Sequence, residues 1–170
     1  MQSLQILPLI VFAGLAVVAG LKDATSYTIP NWISLALIAA FPVAAVVGGI
    51  GWTAAGLSLA VGLGLLLVGM TMFALRWVGG GDAKLLAACA LWMGLPGLAP
   101  FLLTTALAGG ALTIGLMSLR SGWLAPVIAG GPAWVRRLGD KKGDVPYGVA
   151  IAAGALAALP SSVIGQALLN

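Results

Sequence analysis

The sequence predicts an all-α integral membrane protein with six transmembrane helices and both termini extracytoplasmic. Three observations carry that prediction. Hydrophobic residues make up 61% of the 170 and charged residues only 7%, more apolar surface than a water-soluble fold of this length can hide. The few charges divide the chain into uncharged runs of membrane-spanning length. When those runs are threaded as six helices, every basic residue falls on one face.

The elements follow in order. "MQSLQILPLIVFAGLAVVAGL" lacks the basic segment of a secretory signal, and its apolar part, about 18 residues, can cross a bilayer, so it is expected to remain as helix 1. Residues 24–75 carry no charge, far too many for one crossing of a core about 30 Å thick at about 1.5 Å per residue. The glycine cluster "VVGGIGW" at 47–52 supplies a turn and gives helix 2 near 30–48 and helix 3 near 52–75. Residues 85–119 are again uncharged and are punctuated by "GLPGLAP" at 94–100, which predicts a short helix 4 and a full helix 5. The apolar run from Pro146 to Leu169 makes helix 6. The whole chain, 1–170, is thus expected to be one membrane-embedded domain. Its basic loop, 120–144, holds a patch, "GWLAPVIAGGPAWV", that is too short and interrupted to cross and is placed at the inner interface.

In this map Lys22, Arg76, Lys84, Arg120, Arg136, Arg137, Lys141 and Lys142 share one face. The positive-inside rule makes that face cytoplasmic and puts both termini outside. Trp32 and Trp77 fall at inner helix ends, Trp52 and Trp92 at outer ones, and Trp123 and Trp134 in the basic loop, as in an aromatic belt. Stretches such as "GLSLAVGLGLLLVG" and "LAGGALTIG" predict close helix packing through small residues.

The chemistry available is narrow. There is no histidine and no glutamate, and the acids are Asp23, Asp82, Asp140 and Asp144. A missing histidine excludes Ser/His/Asp and Cys/His sites. The single cysteine, Cys89, excludes an internal disulfide and is expected to be a small buried apolar residue. Asp140 and Asp144 lie in the basic loop and are expected to be solvated. Asp23 and Asp82 instead abut spans with little hydrophilic sequence to lift them into water. From Asp82 to Gly94 is about 20 Å of helix against a core near 30 Å, so Asp82 is expected to be drawn below the surface, with Gly79–Gly81 as unwound backbone lining a polar pocket. Two carboxylates brought close share one proton, leaving one as base toward water and the other as acid toward a carbonyl. The same pair could bind a divalent metal, but the donor set is thin, and neither metal nor cofactor is expected.

Three motifs then carry a resemblance. "GGGD", Gly79 to Asp82, followed by "AKLLAA", resembles the GxGD motif of intramembrane-type aspartic proteases. The lysine two places on, Lys84, is typical of type IV prepilin peptidases. In "DATSYTIPNWISL", Asp23 precedes Ile29, Pro30 and Asn31 at that family's spacing, and "VPYG" at 145–148 matches a third family motif. The resemblance covers essentially the whole chain and implies the GxGD aspartic protease fold, with Asp23 and Asp82 as the catalytic dyad. Gly79 and Gly81 would allow close backbone approach. Pro30 would sit in the first turn of helix 2 with Thr28 as its cap. Lys84 need not share the face of Asp82 and is expected to anchor at the interface. Pro146, Tyr147 and Gly148 would border the site, where Tyr147 either donates a hydrogen bond or marks a helix start. The chain departs from the family in having no basic residue in "ATSYT". It also has no room or cysteines for the N-methyltransferase region of larger members, so it resembles the short form of Flp, or tight-adherence, pilus systems.

The implied activity is cleavage of the basic leader of prepilins or pseudopilins at the cytoplasmic membrane boundary. The implied partners are those precursors, the lipid bilayer and the pilus-assembly machinery, with no nucleic acid. Two readings from other classes stay beside it. A small transporter or channel could couple ions through membrane carboxylates, although that favours an acid in mid-helix and here each acid lies at one end. A catalytically silent pilus-assembly subunit would keep the fold without the chemistry.

Overall fold

The computed structural model describes residues 2–120, 130–140 and 143–169, and among them every regular element is helical. In chain order these are α1 (Gln2–Ser26), α2 (Asn31–Val47), α3 (Trp52–Ala74), α4 (Gly80–Arg120), α5 (Ala133–Leu138), α6 (Tyr147–Ala158), a 3₁₀ turn (Leu159–Ser161) and α7 (Val163–Leu169). Three stretches are long and apolar enough to cross a membrane: Ile6–Ser26, Trp52–Ala74 and Gly80–Arg120. The bent pair α6–α7 adds a fourth when counted as one span, and α2 is shorter. Large apolar side chains point outward all along α1 to α3, among them Ile10, Leu35, Val46, Leu67 and Met70, as befits helices whose outer solvent is lipid.

Helix α4 organises the rest. It contains one non-helical residue, Gly94, at φ 58° and ψ −166°, a conformation open to little but glycine. There the chain doubles back. A straight helix would set Asp82 and Thr113 about 46 Å apart, yet both line one cavity. The first arm, 80–93, runs antiparallel to α3: a Cβ on Gly69 would stand 3.0 Å from Ala83 Cβ, one on Gly62 3.2 Å from Leu91 Cβ, and one on Gly94 2.8 Å from Ser58 Oγ. The second arm, 95–120, runs antiparallel to α6. Gly154 there lies against the Thr105 backbone, and Gly109 against the Tyr147 ring. Small residues thus set both helix pairs at close range.

The first arm is also the core. Its residues from Leu85 to Met93 are buried almost without exception, including Cys89, as its apolar character predicts. Trp92 is fully buried, donates Nε1–H to the Leu37 carbonyl at 2.9 Å, and packs on Phe12 and Phe41 with ring centroids 4.8 and 6.2 Å away. This corrects the expectation that Trp92 belongs to an outer aromatic belt. Trp32, Trp52, Trp77 and Trp134 are exposed.

Other expectations are corrected in detail. Helix α1 does not end at Lys22 but continues through Asp23 to Ser26. The punctuation at 94–100 narrows to Gly94 alone, and Pro96 falls in the first turn of the second arm, where its missing N–H costs little. The last apolar run is not one straight helix. It breaks after Ala158, turns through Pro160, and restarts at α7, bent by 47°. Ser162 caps the restart by accepting the Gly165 N–H at 2.8 Å. Helix α2 has Pro30 itself at the N-cap with no side-chain cap bond, whereas Thr28 Oγ1 lies 3.0 Å from Ser26 Oγ. Most of the apolar patch in loop 120–144, with Trp123, Lys141 and Lys142, lies outside the described residues.

Candidate active site

Asp23 occupies the last turn of α1 and is only 5% exposed. The helix ends just beyond it because Thr25 and Ser26 turn their hydroxyls back to the Leu21 and Lys22 carbonyls, at 2.7 Å each, and Tyr27 takes a left-handed conformation, φ 53°. Asp23 Oδ2 accepts the backbone N–H of Gly148 at 2.6 Å. That amide belongs to the first turn of α6, where N–H groups have no helical partner and favour an anion. Gly148 must be glycine for this approach: a Cβ there would lie 2.7 Å from Ile29 Cδ1 and 2.9 Å from both Asp23 Cβ and Oδ2.

Asp82 sits in the first turn of α4, half-buried. The Gly79 backbone N–H faces its carboxylate, while Oδ1 is buried and makes no hydrogen bond. Asp23 and Asp82 lie within electrostatic reach of each other and line the same cavity of about 1020 Å³. Its walls also hold Tyr27, Arg76, Thr113, Asp144 and Tyr147. Asp144 is exposed, as its loop position predicts, but it stands in the wall of this cavity.

The three motifs meet here. Ile29 is the wedge between them, with its Cβ 3.2 Å from where a Gly81 Cβ would be and its Cδ1 against Gly148. Asn31 Oδ1 accepts from Lys84 Nζ at 3.0 Å. Lys84 is therefore turned from the aspartates toward α2, as its spacing from Asp82 implies, and it lines an apolar groove between α2, α3 and α4. Pro146 is fully buried and Tyr147 borders the cavity. One expectation changes. Gly80 and Gly81 do not unwind the helix entrance; they form the first turn of α4, and neither has positive φ. They serve close packing, Gly80 against the Phe73 ring and Gly81 against Ile29.

Four residues escaped the sequence reading. Tyr27 adjoins the Ile-Pro-Asn motif, a hint that could have been used. Its hydroxyl is buried, burial pushes its pKa above the ordinary phenol value although the Arg120 charge opposes this, and the group stays a protonated donor. Arg76, φ 61°, closes α3 with paired bonds, Trp77 N–H to the Met72 carbonyl and Arg76 N–H to the Phe73 carbonyl, each 2.9 Å, the Schellman pattern with arginine where glycine is usual. Thr113 and Arg120 carry no local signal, since only the reversal at Gly94 brings that end of α4 to the site. Among the described residues, no group of three His, Cys, Asp or Glu is arranged to hold a metal ion.

An apolar helical protein with two carboxylates at neighbouring helix ends, facing one polar cavity, is of a class equipped for acid–base chemistry at a membrane. Residues 10–114 match the type IV leader peptidase family, and the chain belongs to that family. The matched range includes Asp23, the Ile-Pro-Asn motif and the Gly-Gly-Gly-Asp motif. Gly148 lies beyond it and is tied to the site by its bond to Asp23. No curated protein and no solved structure shows significant similarity.

Proposed function

We propose that this chain removes the basic leader of Flp-type type IV prepilins by aspartic-protease chemistry, with Asp23 and Asp82 as the dyad. The observation that carries this reading is the convergence of both carboxylates on one cavity from the ends of two different helices. One carboxylate takes a proton from the attacking water as the other carboxyl gives one to the scissile carbonyl oxygen; as the C–N bond breaks, the first gives its proton to the leaving amine and the second takes one back from the diol hydroxyl. The environments suit a division of labour. Asp23 is fixed by the Gly148 amide, whereas Asp82 Oδ1 is buried without a partner, so that carboxyl has a hydrogen bond still to make. Tyr27 stands in the same wall as a neutral donor. No step calls for a metal.

The membrane frame belongs to the same proposal: six crossings, both termini outside, and the site at the cytoplasmic boundary of a bacterial inner membrane. It is supported by the basic residues near the cavity end of the bundle, Arg76 and Arg120 among them. Cleavage without N-methylation is part of the same proposal, supported by the single cysteine, Cys89, among these 170 residues. Co-expression with an Flp-type precursor tests the reaction. A mobility shift of the precursor that requires this chain is expected; an unshifted precursor beside well-folded protein would turn the reading toward a transporter or a silent assembly subunit.

A further inference from the structure

Arg120, the last residue of α4, reaches the site from outside it. Its Nε–H donates to the Leu138 carbonyl at 2.9 Å, Nη1 to the Gly143 carbonyl at 2.8 Å and Nη2 to the Asp144 carbonyl at 2.9 Å. One guanidinium thus gathers carbonyls from two stretches, the end of α5 and the segment that leads into α6. Leu138 ends its helix, so its carbonyl has no intrahelical donor. A planar fork of five donors can satisfy three carbonyls at once; a lysine ammonium at the same place reaches one point. Gly143 packs down on this clamp. A Cβ there would lie 3.2 Å from the Arg137 and Asp140 carbonyls and 3.3 Å from Arg120 Nη2.

The segment so held is short. Four residues beyond Asp144, the Gly148 N–H meets Asp23 Oδ2. Between them stand Val145 and Tyr147 of the cavity wall and Pro146, which is fully buried at φ −73°. Proline fixes φ and this one is buried, so the link from Asp144 to the Gly148 amide is short and stiffened at its middle. We propose that Arg120 is a positioning residue: its clamp on the Leu138, Gly143 and Asp144 carbonyls sets where the Gly148 amide, and with it the Asp23 carboxylate, stands. The kinetic consequence rests on the dyad reading above, while the geometric one does not.

The test uses the full chain in nanodiscs, with Arg120→Lys and Gly143→Ala. The first keeps the charge and loses the fork; the second keeps Arg120 and crowds the clamp from the other side, so that one variant remains informative if the other fails to fold. Two readouts are expected to move together. Cleavage shows kcat lower by about 10- to 100-fold with KM little changed. Hydrogen exchange at the Gly148 amide speeds by about tenfold while the amides of α2 and α3 keep their protection. Wild-type kcat and wild-type Gly148 exchange in a folded variant would overturn the proposal. So would exchange that accelerates through all helices alike, since Arg120 would then hold the fold and not the site. If the wild-type chain cleaves no precursor but Gly148 exchange still rises selectively, the clamp stands and the peptidase reading falls.

Discussion

Around the two aspartates the glycines differ in what an added methyl group would strike, and this ranks their variants. Gly148→Ala would drive a methyl against Ile29 Cδ1 and against Asp23 Cβ, close to the backbone of a buried residue, so a loss of about 1–3 kcal/mol in stability is expected together with loss of cleavage. Gly79→Ala meets only Asp82 Oδ2, at 2.9 Å, the free end of a side chain that can swing. Its stability should change by less than about 1 kcal/mol while cleavage falls, because the carboxylate has moved. Denaturation in mixed micelles beside a cleavage assay checks both, and a Gly79→Ala protein more destabilised than Gly148→Ala would contradict the packing described here. At this scale the sequence was informative where a motif was local. Asp23 and Asp82 line one cavity and Ile29 packs between their helices, whereas Asn31 faces the neighbouring apolar groove with Lys84. Thr113 and Arg120 were invisible because their place depends on a chain reversal tens of residues away.

At the scale of elements, that reversal hangs on one residue. Gly94→Ala would force a side chain into a left-handed conformation and set its methyl 2.8 Å from Ser58 Oγ and 3.0 Å from Val163. A cost of about 1–3 kcal/mol or more is expected, read as a lower unfolding midpoint; an unchanged midpoint would mean the break is made elsewhere. Trp92→Phe keeps the ring contacts but removes the bond to the Leu37 carbonyl, and should cost about 1 kcal/mol. The sequence put helices 2 and 3 within a residue or two of their observed bounds, because uncharged runs and the Gly48–Gly51 turn are strong signals. The division of 85–119 into a short and a full helix appears as the two arms that meet at Gly94. Trp92 is the exception: two residues before that break it lies inside the bundle, bonded to the Leu37 carbonyl, and not at its rim.

For the whole molecule, charge is the organising quantity. Asp23, Arg76, Asp82 and Asp144 are far apart in sequence and surround one cavity in an otherwise apolar bundle. The orientation proposed for that cavity is open to direct test. A reporter active only in the cytoplasm should be silent at either terminus and active when inserted in loop 120–144; activity at a terminus would reverse the map. The chemistry is tested most directly by reconstituting the wild-type chain, Asp23→Asn and Asp82→Asn in vesicles with a prepilin in the same bilayer and following the released leader by mass spectrometry. Release by the wild type and by neither variant, with all three equally folded, is the expected result. Release at the wild-type rate by either variant would contradict the dyad.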